Sequence, residues 1–408
     1  MPRNPLRNLD QDRTTLSGVP RAVAPALAVG GGVALAVAFA LAWSRDASLR
    51  DFSASYLISF CFFLSISLGA LLFVALQHLV RAGWSVTVRR LAELLAANVS
   101  CLAILFLPIL VPLLVGRSGL YEWSDPEAVA ADKLLEAKAA YLNVPFFAIR
   151  AGVYFLVWGL LGRFFLVQSS RQDDSGDPGL TRRMERASAA TLILFALTVT
   201  FASFDWLMSL EPAWFSTIFG LYFFSGAVVA FFAALILLAL GLQAGGWLTS
   251  SITTEHYHEL GKLLLGFIIF WGYMAFSQYM LIWYANLPEE SVWYLARQTG
   301  PWTWLSVGLL FGHLLIPFFG LLSREVKRRR ILLGGWAAWM LVVHWIDLYW
   351  LVMPTFAPEH LPFGLIDVCC IIGVGCLFLA GLLGVARGRA LVPLKDPRLH
   401  ESLVFENS

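Results

Sequence analysis

Long apolar runs alternate with short polar breaks through most of the chain. The runs lie at about 22–43, 52–80, 91–116, 145–168, 187–207, 214–243, 260–284, 302–322, 331–353 and 364–386. Each is at or above the length a helix rising 1.5 Å per residue needs to cross a hydrocarbon layer about 30 Å thick. The pattern predicts ten transmembrane helices in an all-α polytopic membrane protein. A polar arm, 1–21, precedes the membrane domain, 22–386, and a short polar tail, 387–408, follows it. The arm reads as unstructured. The first run is too long for a typical signal-peptide core, although Ala38, Ala40 and Ala42 at its end leave cleavage open.

The polar breaks set the orientation. With the N-terminus inside, the inner segments hold twenty Lys and Arg against six in the outer ones. Basic residues favour the cytoplasmic side, so both termini are expected there. The inner segment 244–259 has no Lys or Arg and is the exception. Residues 126–141 have helix-forming composition, and Leu134, Leu135 and Ala139 share one apolar face, so a helix lying on the outer surface is expected. Residues 285–301 lie outside and carry Trp293 and Tyr294, residue types of an interfacial belt. Segment 169–186 is polar and reads as a mobile loop.

Composition agrees with the pattern. Of 408 residues 59% are hydrophobic and 14% charged, with mean hydropathy +0.72. Soluble chains average about 25% charged residues. No separate soluble domain is present, so a large partner would be another chain, and nothing indicates nucleic acid. Cys61, Cys101, Cys369, Cys370 and Cys376 all lie in apolar runs. None has the spacing of an iron–sulfur or c-haem site, so no redox centre of the chain's own is expected.

In so apolar a chain the ionisable groups stand out. A carboxylate at the centre of a membrane helix costs about 2.5–3.5 kcal/mol, and such groups usually face a protein interior or a water path. The predicted spans place Arg150, Asp205, Asp347 and Asp367 near the outer side, His344 deeper, and His313 near the midplane. Asn98 lies in the inner half, and Gln77, His78, His258, Glu259 and Lys262 near the inner surface. His344 and Asp347 are three apart and share a helix face. Histidines and carboxylates at graded depth can relay protons through waters. They can equally hydrogen-bond between helices, and Arg150 can neutralise Asp205 or Asp367. A bis-His haem on His313 and His344 is a further possibility, though the paired spacing of cytochromes b is missing. His256 and His258, two apart at a helix start, could bind a metal but read rather as a solvated cytoplasmic end. Gln278 and Tyr279 sit among aromatic residues, a texture that suits a quinone headgroup or plain packing.

The stretches FASFDWLMSLEPAWFSTIFGLYFFSG, EHYHELGKLLLGF, FSQYMLIWYANLPEESVWY and YLNVPFFAIR resemble the second large membrane subunit of bacterial alternative complex III. The wider family is the NrfD-like, polysulfide-reductase-type membrane anchors. The resemblance implies two four-helix bundles plus extra helices, in the bacterial inner membrane. It implies a subunit of a respiratory complex that oxidises menaquinol or ubiquinol, not catalytic alone, with a proton-conducting or quinone-binding role. Its partners would be a paralogous NrfD-like subunit, a periplasmic iron–sulfur subunit, c-type cytochrome subunits and a terminal oxidase. Iron–sulfur clusters and c-type haems would lie on those partners, with quinol in reach. Arg150, Asp205, Glu211, His258 and Lys262 fall inside the matching stretches. His78, His313, His344, Asp347 and Asp367 rest on their own depth and chemistry. An assembly scaffold or a transporter is the alternative from another class.

Overall fold

A computed structural model of the chain describes residue 9, residues 12–45 and residues 49–407. Among these, ten helices are long and apolar enough to cross a membrane. They are α1 (Val23–Arg45), α2 (Arg50–Leu79), α3 (Gly83–Leu114), α4 (Val144–Ser175) and α5 (Pro178–Leu210), then α6 (Phe219–Ala244), α7 (Thr254–Ala285), α8 (Pro301–Leu322), α9 (Arg330–Thr355) and α10 (Leu365–Ala386). The protein is an all-α, multi-pass membrane protein.

Helices α2–α5 pack around one another as a first four-helix bundle, and α6–α9 as a second. The seam runs between α2 and α6, while α10 packs on α2 and α1 on α10. The composition of α2 explains its central place. It carries no charge between Asp51 and its end, and small residues recur along it. At Gly69 a Cβ would lie 2.4 Å from Phe231 Cβ and 2.7 Å from the Ala227 carbonyl oxygen of α6. Only glycine lets the two backbones approach so closely.

Prolines interrupt two spans. In α3, Pro108 and Pro112 each remove an N–H that an earlier carbonyl would use, and its helical segments run Val86–Ala97, Val99–Leu105 and Leu107–Leu114. In α8 a π-helical segment, Leu310–Leu315, lies just before Pro317.

Several polar segments differ from expectation. Of the arm, residues 1–8, 10 and 11 lie outside the described residues, with Arg3 and Arg7. Residues 12–21 are not loose. Asp12 accepts hydrogen bonds from the Ser250 and Ser251 backbone N–H groups (3.0 and 2.7 Å) and from the Ser251 and Thr249 hydroxyls (2.6 and 2.9 Å). A carboxylate thus organises the loop that lacks Lys and Arg. Segment 169–186 is not a loop. Helix α4 continues to Ser175, Gly176 turns at φ 66°, and Asp177 caps α5 by accepting from the Gly179 N–H at 2.7 Å. Its Arg, Gln and Glu residues are good helix formers that hydropathy alone passes over.

The outer surface helix is two short helices, Pro126–Ala131 and Lys133–Lys138. Asp132 caps the second through the Leu134 N–H at 2.8 Å and breaks the first. Leu135 is buried and Leu134 exposed, so they do not share a face. In the helix Pro288–Arg297, Trp293 and Tyr294 are buried, not belt residues. Trp293 stacks on Trp214 at 4.3 Å and meets Trp350 edge-on at 5.4 Å.

The tail folds back over the end of the bundle. Asp396 pairs with Arg89, the Leu394 N–H donates to Asp173 Oδ1 at 2.8 Å, and Ser402 Oγ donates to the Trp84 carbonyl at 2.6 Å. Trp247 Nε1 donates to the Thr15 carbonyl at 2.9 Å and the Leu391 N–H to that of Thr14 at 2.6 Å. Residues 12–21 and the described tail therefore lie at one end, as an even number of crossings requires.

Candidate functional site

The site is built on the inward faces of α2, α6, α7, α8 and α9. On α9 the three-residue spacing turns His344 and Asp347 to one side, and both are buried. His313 comes from the π segment of α8 and is fully buried. One donor atom from each of these three residues lies within 4.8 Å of the others. The irregular turn has a cause. Pro317 has no N–H, so the carbonyl of His313, four residues earlier, loses its usual helical partner. Trp339 Nε1 donates to the neighbouring Gly312 carbonyl at 2.8 Å. Such π turns recur at functional positions.

Neighbouring side chains fix the cluster. Tyr222 of α6 donates its hydroxyl to Asp347 Oδ1. Trp271 of α7 stacks on His313 with 3.7 Å between ring centroids. Ser65 of α2 lies 3.1 Å from His344 Nε2 and gives its own hydrogen to the Phe62 carbonyl at 2.7 Å. Ser65 must then accept from His344 Nε2–H, which leaves Nδ1 as the basic nitrogen. Gly226 makes room for that ring, since a Cβ there would lie 2.9 Å from His344 Cε1 and 3.2 Å from Nδ1.

Three nitrogens of the cluster, both of His313 and Nδ1 of His344, have no hydrogen-bond partner among the described residues. A buried polar atom left unpaired costs about 1–3 kcal/mol. The group is suited to a bridging water, to an extra proton, or to a divalent cation, for which two imidazoles and a carboxylate are a recognised donor set. It does not suit a haem. The imidazole centroids are 6.4 Å apart, but Trp271 and Phe62, the latter 5.9 Å from His344, fill the space beside them.

The remaining residues form separate groups. Arg150 and Asp205 make a bidentate ion pair at 2.8 and 2.9 Å, and Tyr154 donates to Asp205 Oδ2 at 2.6 Å. Arg150 also donates to the Tyr141 carbonyl at 2.9 Å and lies over the Tyr141 ring at 3.9 Å. Asp205 is thus fully engaged in holding α4 to α5. Asp367 is not near it. Its Oδ1 accepts from Ser55 Oγ at 2.7 Å and its Oδ2 from the Gly364 N–H at 2.8 Å, the position of a residue capping the start of α10.

Glu211 pairs with Arg297 at 2.9 Å and accepts from Thr355 Oγ1 at 2.8 Å. Arg297 also donates to the carbonyls of Leu351, Trp293 and Trp350 at 2.9, 3.0 and 3.3 Å. Burial pulls its pKa down, and the Glu211 charge opposes that. The two carbonyls of α9 it binds lie one helical turn beyond Asp347. Gln278 is occupied by the Tyr294 hydroxyl (3.1 Å) and by Ser216 (3.4 Å). Tyr279 lines a cavity of about 360 Å³ with Asn286 and Gln298.

At the terminal end His78 is buried and stacks on Phe165 at 5.6 Å. Asn98 is not at this end but mid-way along α3, where it donates to the Phe378 carbonyl at 2.9 Å. His258 is buried beside Lys262, which pairs with Glu259 and donates to Asn407 Oδ1 at 3.2 Å. His256 is not solvated. Its ring nitrogens lie 2.9 Å from Thr253 Oγ1 and 3.1 Å from Ser402 Oγ. Ser65 and His78 are thirteen residues apart on α2, about 20 Å of helix. Apolar Leu68, Phe73 and Val74 lie between them, with Phe231 and Phe232 opposite, beside buried Gln77 and Ser67, whose hydroxyl donates to the Leu95 carbonyl at 2.8 Å. From Asp347 the contacts continue through Arg297 and Glu211 towards the end opposite the termini.

A scan against protein-family models and a search of curated proteins found no match to the chain. The site rests on its geometry.

Sequence reasoning missed Ser65, Tyr222 and Trp271, which carry no charge. The apolar runs also leave outside the predicted spans Arg89 and Arg90, just before the run at 91–116, and Arg297, in the outer segment 285–301. Arg90 is fully buried and binds Glu93 (2.9 Å), Asp173 (2.8 Å) and Ser169 (2.9 Å). The i,i+3 pair Arg90–Glu93, at the start of an apolar run, was the available signal.

Proposed function

We propose that this chain is an integral membrane subunit of a respiratory quinol oxidoreductase. It would sit in the bacterial inner membrane with both termini cytoplasmic, and conduct protons between its buried cluster and the opposite face. The observation that carries the proton role is the His313–His344–Asp347 cluster, with three imidazole nitrogens left open in an apolar interior. An imidazole that donates through Nε2 and accepts at Nδ1 passes a proton without a net change of tautomer once it has turned or exchanged through water. Asp347, held by Tyr222, is a second proton acceptor on the same face. Arg297 and Glu211 continue the polar path one turn further. The respiratory setting is supported by the resemblance of the stretches around Asp205, His258 and Gln278. In that setting electrons travel through iron–sulfur and c-type haem centres on partner subunits, beside a paralogous NrfD-like subunit, towards a terminal oxidase.

Infrared difference spectra of the intact complex during quinol turnover test the proton role. A carboxyl C=O band that changes on turnover and disappears in Asp347→Asn is expected. Wild-type spectra without any such band would count against it.

A second reading, a quinol-binding subunit, is favoured by the cavity at Tyr279. It predicts that Tyr279→Phe raises the KM for quinol, while the relay reading leaves KM unchanged. A transporter would place an unwound helix at the midplane. Helix α8 instead keeps helical turns through its π segment.

A further inference from the structure

Where α1 begins and α10 ends, the described chain borders a half-open cavity of about 560 Å³. Its lining includes Arg21, Arg387, Thr15, Ser17, Ala24 and Leu383. Arg21 is two residues before α1 and Arg387 is the residue after α10, so both belong to the same membrane boundary. Both side chains are exposed, and neither forms an ion pair among the described residues. An Nη2 of Arg387 approaches the Arg21 carbonyl at 3.5 Å, which brings the two arginines to one side of the cavity. Thr15 Oγ1 donates to Ser17 Oγ at 3.2 Å, and the Ser17 hydroxyl hydrogen is free to donate in turn. Among the described residues no carboxylate lines the cavity.

The surroundings sort by depth. Ala24 and Leu383, inside the spans, give apolar contact. The arginines and hydroxyls, outside them, give donors and positive charge. Helix α1 is the least buried of the ten spans, so its flank is open to acyl chains. A ligand that matches is anionic and rich in acceptor oxygens at one end and apolar at the other. Guanidinium groups bind phosphate oxygens in bidentate fashion. Basic pockets between membrane helices at a boundary are typical anionic-lipid sites.

We infer that this cavity binds the phosphate headgroup of an anionic phospholipid, whose acyl chains lie along α1 and α10. The lipid bridges the two peripheral helices and the arm that crosses them, adding to the direct packing of α1 on α10. This site is independent of the buried cluster and of the respiratory reading.

The test uses the full chain, with any partners that co-purify, in nanodiscs of phosphatidylglycerol or phosphatidylcholine, with inorganic phosphate as a third arm. Native mass spectrometry counts retained lipid, and a thermal shift follows stabilisation. Retention of phosphatidylglycerol over phosphatidylcholine is expected, with affinity falling about fivefold for each of Arg21→Gln and Arg387→Gln. Arg21→Lys and Arg387→Lys should keep part of it, which separates charge from misfolding. Equal retention of both lipids, or no loss in the double variant, would overturn the inference. Full stabilisation by inorganic phosphate alone would also overturn it, by making this a soluble-anion site.

Discussion

Among the residues, the buried charges separate into those with complete partner sets and those without. Asp205 has two bonds from Arg150 and one from Tyr154. Removing one member of such a pair leaves the other charge buried, at a cost of about 3–5 kcal/mol. Arg150→Ala should therefore lower the melting temperature of the protein strongly, and Arg150→Met with Asp205→Leu should recover much of the loss. A cluster residue behaves differently. Tyr222→Phe removes the donor to Asp347, and a loss of about 1–3 kcal/mol is expected by denaturant or thermal titration. Lys327, between α8 and α9, is buried and donates to the Leu321 carbonyl at 2.6 Å. Burial lowers its pKa, so the unfolded chain holds this proton to higher pH than the folded one. Stability should rise with pH between the lowered value and about 10.4, and Lys327→Gln should flatten that rise.

At the scale of elements, ten apolar runs were readable because length and hydropathy decide whether a helix can cross a bilayer. The ends were not readable from hydropathy. Residues 169–175 and 178–186 continue α4 and α5 although they are polar, and Arg89 and Arg90 belong inside α3. Partner choice was less readable still. Asp205 was evident as a costly charge, but that Arg150 takes it and that Ser55 donates to Asp367 follow from packing between distant helices. The contact of Ser65 with His344 spans 279 positions. The π turn of α8 is an intermediate case, since Pro317 was visible and its effect on His313 was not. Pro317→Ala restores an N–H for the His313 carbonyl. It should convert the π turn to regular α-helix and move His313 off the Trp271 face. Hydrogen exchange at residues 310–317 should slow, and proton transfer should fall although stability does not.

At the scale of the whole molecule, the two bundles meet where Gly69 lets α2 touch α6. Even Gly69→Ala places an atom 2.4 Å from Phe231 Cβ, and overpacking of this kind costs about 1–3 kcal/mol. The seam also supplies Ser65, Tyr222 and Gly226, so loosening it should reduce both stability and proton transfer. The cluster thus depends on both bundles. The most direct measurement is the number of protons moved per electron when the intact complex oxidises quinol in sealed liposomes. A lower ratio in Asp347→Asn and in His344→Gln is predicted, with assembly and electron transfer retained. An unchanged ratio in both variants would contradict a proton path through this cluster.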